Sequence, residues 1–438
     1  MKITNPFNNK KTTQKFLLKN CLLVDTKKQK ILKRDIFIKN KIIEEIGNNL
    51  SVKGSKTKII DCKGLYVSPG LVDMRVHITE PGLEHKETIK SASKAAASSG
   101  ITSLICMPNT TPPIDQPAII HSIQRKAREI GLSKIFCTGC ITRNFEGKEI
   151  CELRLMKESG AVGFTDGLKT IANTRIMRRA LNYAKSFDGL IIQHAEEPHL
   201  YSNSVVNEGE IATRMGLTGV PSFAEAMIVQ RDLWMVEETK CRYHVGHIST
   251  RETVEIIRQA KKKGLPITCD TSPPYFTLNE LSLENYRTFS KLSPPLRSED
   301  DRKYIIEGIC DGTIDAISSD HTPQDQDAKR LPFNQAEFGG IGLETLLALT
   351  LNLVKNKEIS LPKALSLLTF NPSNILKLNL GTIEKNKDAD ICIFDLTKPW
   401  KVSPNEFYSK SKNSPFDGML LEGKNLMTFV RGKLIYGY

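Results

Sequence analysis

Residues able to move protons or bind metal stand at the ends of several short apolar runs. Leu65 to Val76 is one run, and His77 follows it. Ile191-Ile192-Gln193 leads into His194, Tyr243 to Gly246 into His247, and Ile314 to Ser319 into Asp320. Imidazoles hold divalent ions, and a carboxylate can take the proton from water bound to such an ion. On a strand, alternate side chains share a face, so a His-X-His pair would grip one ion. Here the first member of that pair is Arg75. Its guanidinium never deprotonates and ligates nothing. The chain has the frame of a metal-dependent hydrolase with a fixed cation where a ligand would stand.

The elements that must position these residues follow a regular pattern. From about 64 to 375, short apolar strands alternate with helical segments, the signature of a parallel α/β sheet. Eight strands are expected to end near His77, Asn109, Thr142, Asp166, His194, His247, Asp270 and Asp320. Glu87 to Ser98, Arg175 to Ser186 and Arg251 to Lys262 read as helices. Eight β/α units predict an α/β fold, a (β/α)8 TIM barrel with its site at the C-terminal strand ends. Residues 13–62 and 381–438 instead alternate β-rich runs with polar turns, and are expected to form one small β-sandwich from both termini. The predicted division is thus 1–63, 64–375 and 376–438.

Bulk properties narrow the class. At 438 residues with 39% hydrophobic content, the chain suits a large barrel or two domains. It contains no apolar run long enough for a bilayer, and Met1 to Lys15 lacks a secretory apolar core. A cytoplasmic protein is expected. The net charge of +13 comes from scattered lysines without a nucleic-acid-binding motif, which predicts no nucleic-acid and no membrane partner. Ten cysteines occur singly. Cys137 and Cys140 form a C-X-X-C with no second pair to complete a zinc site, and buried free thiols are the expected state.

The residues resemble the amidohydrolase superfamily, and within it the class I dihydroorotases. The resemblance spans nearly the whole chain. It is carried by Pro69-Gly70-Leu71-Val72-Asp73, Glu80-Pro81-Gly82, Met107-Pro108-Asn109-Thr110, His247 to Thr250, Pro294-Pro295-Leu296-Arg297, Asp311 to Asp315 and Phe338 to Thr345. It implies the reversible closure of carbamoyl aspartate to dihydroorotate in pyrimidine synthesis, with a zinc pair in the site. By motif match, Asp320 shuttles the proton, His77, His194 and His247 are metal ligands together with Asp320, and Asn109 binds the substrate carboxylate.

Several matching positions depart from that pattern. Arg75 replaces the first histidine of strand one. Gly167, in Phe164-Thr165-Asp166-Gly167, stands at the aspartate that bridges the metals. Thr79 replaces an arginine that clamps the substrate carboxylate, Gln324 a second carboxylate-binding histidine, and Ser293 an asparagine. A guanidinium within about 4 Å of a dication costs several kcal/mol in a low dielectric. Zinc is therefore expected at one ion per chain at most, or not at all, with Asp166 a tentative replacement ligand. Arg75 reads either as a relic of an abandoned metal site or as a cation that polarises a carbonyl in place of a metal.

Three functions remain open on these residues. The chain is a dihydroorotase with a depleted metal site. Alternatively it is a non-catalytic dihydroorotase-like subunit that scaffolds aspartate carbamoyltransferase, a subgroup that Arg75 and Pro273-Pro274-Tyr275 also resemble. The third reading, a hydrolase of another cyclic amide such as allantoin or a hydantoin, accounts for the lost clamp but not for Arg75. A homo-oligomer is expected.

Overall fold

The computed structural model describes residues 14–52 and 57–437. The basic N-terminal stretch up to residue 13 lies outside them. β-Branched and apolar runs make β1 (Lys15–Asp25), β2 (Lys30–Lys39), β3 (Ile42–Gly47), β4 (Thr57–Asp61) and β5 (Tyr66–Pro69). β5 and β6 (Leu71–Val76) come from the single apolar run read above. Gly70 divides it because a Cβ there would meet the Thr102 side chain at 2.1 Å. One run therefore serves two sheets.

β6 begins the barrel. It continues through β7 (Ile101–Cys106), β8 (Lys134–Gly139), β9 (Ala161–Phe164) and β10 (Leu190–His194). A short excursion carries the pair β11 (Val206–Asn207) and β12 (Gly219–Val220), and the barrel resumes with β13 (Arg242–Gly246), β14 (Ile267–Thr271) and β15 (Ala316–Ile317). The eight barrel strands pair in chain order, all parallel. A parallel bridge between Val76 and His321 closes the ring, with the His77 amide 2.9 Å from the His321 carbonyl. The (β/α)8 barrel expected from the alternation is present.

Helices cover the outside. Ile89–Ser98, Thr174–Lys185 and Arg251–Lys262 lie where the sequence placed them. Thr88, Asn173 and Thr250 cap their N-termini by accepting backbone N–H groups. Inside the barrel, Val72 and Met74 pack with Ile105, Leu190, Ile192 and Ala316. Ile375 and Leu376 join this cluster from the C-terminal helices.

The second sheet is completed by β16 (Ile391–Lys401), β17 (Leu420–Val430) and β18 (Lys433–Tyr436). Its order is β18-β17-β16-β5-β1-β2-β3, with β4 paired to β1. Both chain ends thus build one sheet around Leu18, Ile36, Ile38, Val67, Ile393 and Phe429. No helix among the described residues is long and apolar enough to cross a membrane. All ten cysteines are free thiols, nine of them buried.

Candidate active site

The ends of β6, β10, β13 and β15 converge. Pairing of β6 with β7 is irregular between Asp73 and Val76, and this local shift turns Arg75 into the barrel mouth. Arg75 Nε lies 2.9 Å from Asp320 Oδ1, and a second guanidinium nitrogen donates to the Gly167 carbonyl at 3.2 Å. The Arg75 side chain is only 3% exposed. Asp320 is held opposite by a left-handed backbone, φ 49°. Burial raises its carboxyl pKa to about 6, against the pull of Arg75.

His194 and His247 face each other, Nδ1 to Nε2, at 2.7 Å with stacked rings. His247 Nδ1 lies 3.7 Å from Asp320 Oδ2, beyond hydrogen-bond range. His194 Nε2 lies 2.9 Å from Glu196 Oε2, and Ser293 donates to the other oxygen of Glu196 at 2.5 Å. Burial opposes ionisation of Glu196, but His194 and Ser293 outweigh it and keep the carboxyl below its usual range. Burial first, then the Arg75 charge, pushes the pKa values of His77 and His247 well below the ordinary imidazole value. His77 Nε2, His247 Nδ1 and Asn109 Oδ1 are buried without a hydrogen-bond partner.

Supporting residues fix this arrangement. Asp73 Oδ1 accepts from the amides of Ser319 and Arg75, bracing β6 against the strand-eight end as a structural carboxylate. Asp270 takes the His247 amide at 2.5 Å and lies 3.4 Å from His244. Glu225 accepts from the amides of Ser249 and Thr250, directly after His247. Arg297 reaches Ser249 Oγ, Asn207 and Tyr201 from the far side. His321 points away from the cluster, with Nε2 3.2 Å from Glu87 and Nδ1 accepting from Gly342.

The predicted positions divide clearly. His77, His194, His247, Asp320 and Arg75 come together. Asp166 does not join them as a ligand. Its carboxylate accepts from the amides of Ile141 and Thr142 at 2.8 and 2.9 Å and from the Thr142 hydroxyl, so it ties down the end of β8. Gly167 has φ +68°, and a Cβ there would overlap Asn109 Oδ1 at 1.9 Å. Asn109 therefore fills the space that a bridging side chain would need. Thr79 donates into its own loop, to Leu83 O and Glu87 O, and offers no clamp. Gln324 donates to Phe338 O at 2.8 Å. Glu196 was not assigned a role from sequence. Its signal was a carboxylate two residues after His194, the same alternation that links Arg75 to His77.

The donor set does not fit a pair of bridged ions. No three of the His, Cys, Asp and Glu side chains among the described residues are gathered for an ion. The first of the two strand-one ligand positions holds a guanidinium, no carboxylate stands at the bridging position, and Asp320 is already bound to Arg75.

A (β/α)8 barrel with imidazoles and an acid at the mouth, joined to a sheet from both termini, is an architecture of the amidohydrolase type. Over 97% of its length the chain superposes on the L-hydantoinase (dihydropyrimidinase) of Arthrobacter aurescens, covering 96% of that structure at TM-score 0.87 and 28% identity. The dihydropyrimidinase of Brevibacillus agri shares the fold, at TM-score 0.82 and 20% identity over 97% and 95% of the two chains. Residues 64–253 match the dihydro-orotase-like family model. The chain is 40% identical to the dihydroorotase of Syntrophus aciditrophicus over 96% of its length and 99% of that protein's. It is 42% identical to that of Ruminiclostridium cellulolyticum over 95% and 97%. The chain belongs to the dihydroorotase family of the metal-dependent amidohydrolases.

Proposed function

We propose that this protein interconverts dihydroorotate and carbamoyl aspartate in pyrimidine synthesis. The observation that carries this reading is Asp320 at the end of strand eight, its side chain 13% exposed, with one oxygen on Arg75 and the other unclaimed. In ring opening, Asp320 Oδ2 takes a proton from water as the water oxygen bonds to the ring carbonyl carbon. The negative charge on the carbonyl oxygen is met by the Arg75 guanidinium. The ring C–N bond then breaks, and Asp320 returns its proton to the departing nitrogen. The Asn109 side-chain amide helps bind the substrate carboxylate.

The same reading holds zinc at one ion per chain at most. It divides the chain at 1–63, 64–375 and 376–438, with β5 contributed by the middle segment to the terminal sheet. Ten free thiols support a cytoplasmic, reducing setting, and self-association is part of the reading.

The Arg75–Asp320 pair itself favours a second reading, since it occupies the proton acceptor. In that reading the chain is a non-catalytic partner of aspartate carbamoyltransferase. Purified protein, metal-stripped and zinc-supplemented, is assayed for dihydroorotate opening, with hydantoin and allantoin in parallel. We expect dihydroorotate turnover that Asp320→Asn abolishes, and no more than one zinc per chain by elemental analysis. Absence of turnover in both states, with co-purification of aspartate carbamoyltransferase, would overturn the enzyme in favour of the scaffold.

A further inference from the structure

Glu87 and His321 are fully buried, and the ring opening described above uses neither. Glu87 lies in the loop after β6, and His321 directly follows Asp320. The hydrogen bonds of His321 fix its tautomer. Nδ1 accepts from the Gly342 amide at 3.2 Å, so the ring is neutral and its proton is on Nε2, which faces Glu87 Oε2 at 3.2 Å. The His321 amide donates to Ser319 Oγ at 3.1 Å, and its carbonyl accepts the His77 amide at 2.9 Å. Ring, amide and carbonyl are all held, so the peptide joining His321 to Asp320 has little freedom to turn. Asp320 itself has a left-handed backbone, φ 49°, a conformation that persists where its surroundings enforce it.

Glu87 is held in turn from outside the barrel. It accepts from the hydroxyls of Ser91 and Ser409 and from the Lys410 amide. Burial would push the Glu87 carboxyl up, but the hydrogen bonds from His321, Ser409 and Ser91 outweigh it and keep the group below its usual range. Ser409 and Lys410 belong to the connection between β16 and β17. Residues 408–414 of that connection form a strap across the loops after β6 and β15. Lys410 Nζ donates to Glu84 O and Ser411 Oγ to Lys86 O, both at 2.7 Å. Asn413 Nδ2 donates to Thr322 O and Gly339 O at 3.3 and 3.0 Å. The strap therefore spans the two strand ends that carry His77 and Asp320.

We propose that Glu87 and His321 are positioning residues, through which this strap from the terminal sheet aims Asp320 Oδ2 at the attacking water. The inference rests on the proposed ring opening. Neither side chain takes part in substrate binding, so their loss costs turnover and not affinity. A displacement of about 1 Å in a reacting group can lower turnover by roughly 100-fold.

The test compares kcat and KM for dihydroorotate opening in the full chain and its variants. Glu87→Gln and His321→Ala are each expected to lower kcat by roughly 10–100-fold with KM unchanged. His321→Gln carries an amide N–H in place of Nε2–H and is expected to recover most of that loss. Ser409→Ala is milder, should lower kcat in the same direction, and serves where circular dichroism shows that the others fail to fold. Unchanged kcat in the folded variants overturns the proposal, as does a loss carried by KM or one that His321→Gln does not recover. A wild type without turnover overturns the reaction itself, and the linkage is then read from stability. Glu87→Gln and Asp320→Asn should shift the urea midpoint non-additively, although the two carboxylates share no hydrogen bond. Additive shifts overturn the linkage.

Discussion

Arg75 is buried and Asp320 largely so, and the two members of this pair depend on one another. Breaking such a pair by removing one partner costs about 3–5 kcal/mol, because the other charge is left buried and uncompensated. Arg75→Ala is therefore expected to lose stability in that range in urea titration and to raise the Asp320 pKa above about 6. The double variant Arg75→Ala/Asp320→Ala should lose clearly less than the sum of the two single variants, since the groups share one interaction. Restoring histidine at 75 and aspartate at 167 meets a second obstacle. Gly167 needs a left-handed backbone, and Asn109 occupies the space above it. Arg75→His/Gly167→Asp is expected to bind less than two zinc ions per chain, read by elemental analysis. Adding Asn109→Ala removes the overlap, and metal content should rise relative to the double variant.

Gly70 is the point at which one apolar segment leaves the terminal sheet and enters the barrel. Its amide donates to Asp390 O at 2.9 Å, and the next residue pairs with Gly100. A methyl group at 70 would collide with Thr102. Overpacking of this kind costs about 1–3 kcal/mol. Gly70→Ala should lower the denaturation midpoint accordingly, and Gly70→Ala/Thr102→Ser should recover part of the loss by removing the colliding methyl group.

The terminal sheet is tied to the barrel by a few buried polar contacts. Lys134 reaches Asp388 and Asp390 at 2.7 and 2.5 Å, and Thr428 donates to Ala97 O at 2.7 Å. Glu344, at the start of a barrel helix, accepts from the amides of Tyr408 and Ser409. Loss of hydration raises its pKa from 4.5 to about 7. The folded chain therefore binds more protons than the unfolded chain between about pH 4.5 and 7. This contribution is complete below the unfolded value and is lost as pH rises through about 7. Wild-type stability should fall by roughly 1–3 kcal/mol from this group across that window. Thermal melts of Glu344→Gln should show a shallower pH dependence over the same range.

Much of the barrel was legible in sequence because strand and helix periodicities are local. His77, His194, His247 and Asp320 each close an apolar run, and the parallel barrel brings such ends to one mouth. Arg75 was legible as a misfit from alternation alone. The atoms that meet there were not, because the 2.9 Å contact of its Nε with Asp320 Oδ1 joins strands one and eight across 245 residues. Asp166 illustrates the opposite limit. Its type suited a ligand, yet the orientation of one strand end turned it toward the backbone of Ile141 and Thr142. The reason for Gly167 lay in a side chain 58 residues away, Asn109, whose volume excludes any other. Residue type and period determined which groups reach the mouth of the barrel. Only packing among distant strands decided which atoms face each other there, because that depends on volume and register rather than on composition.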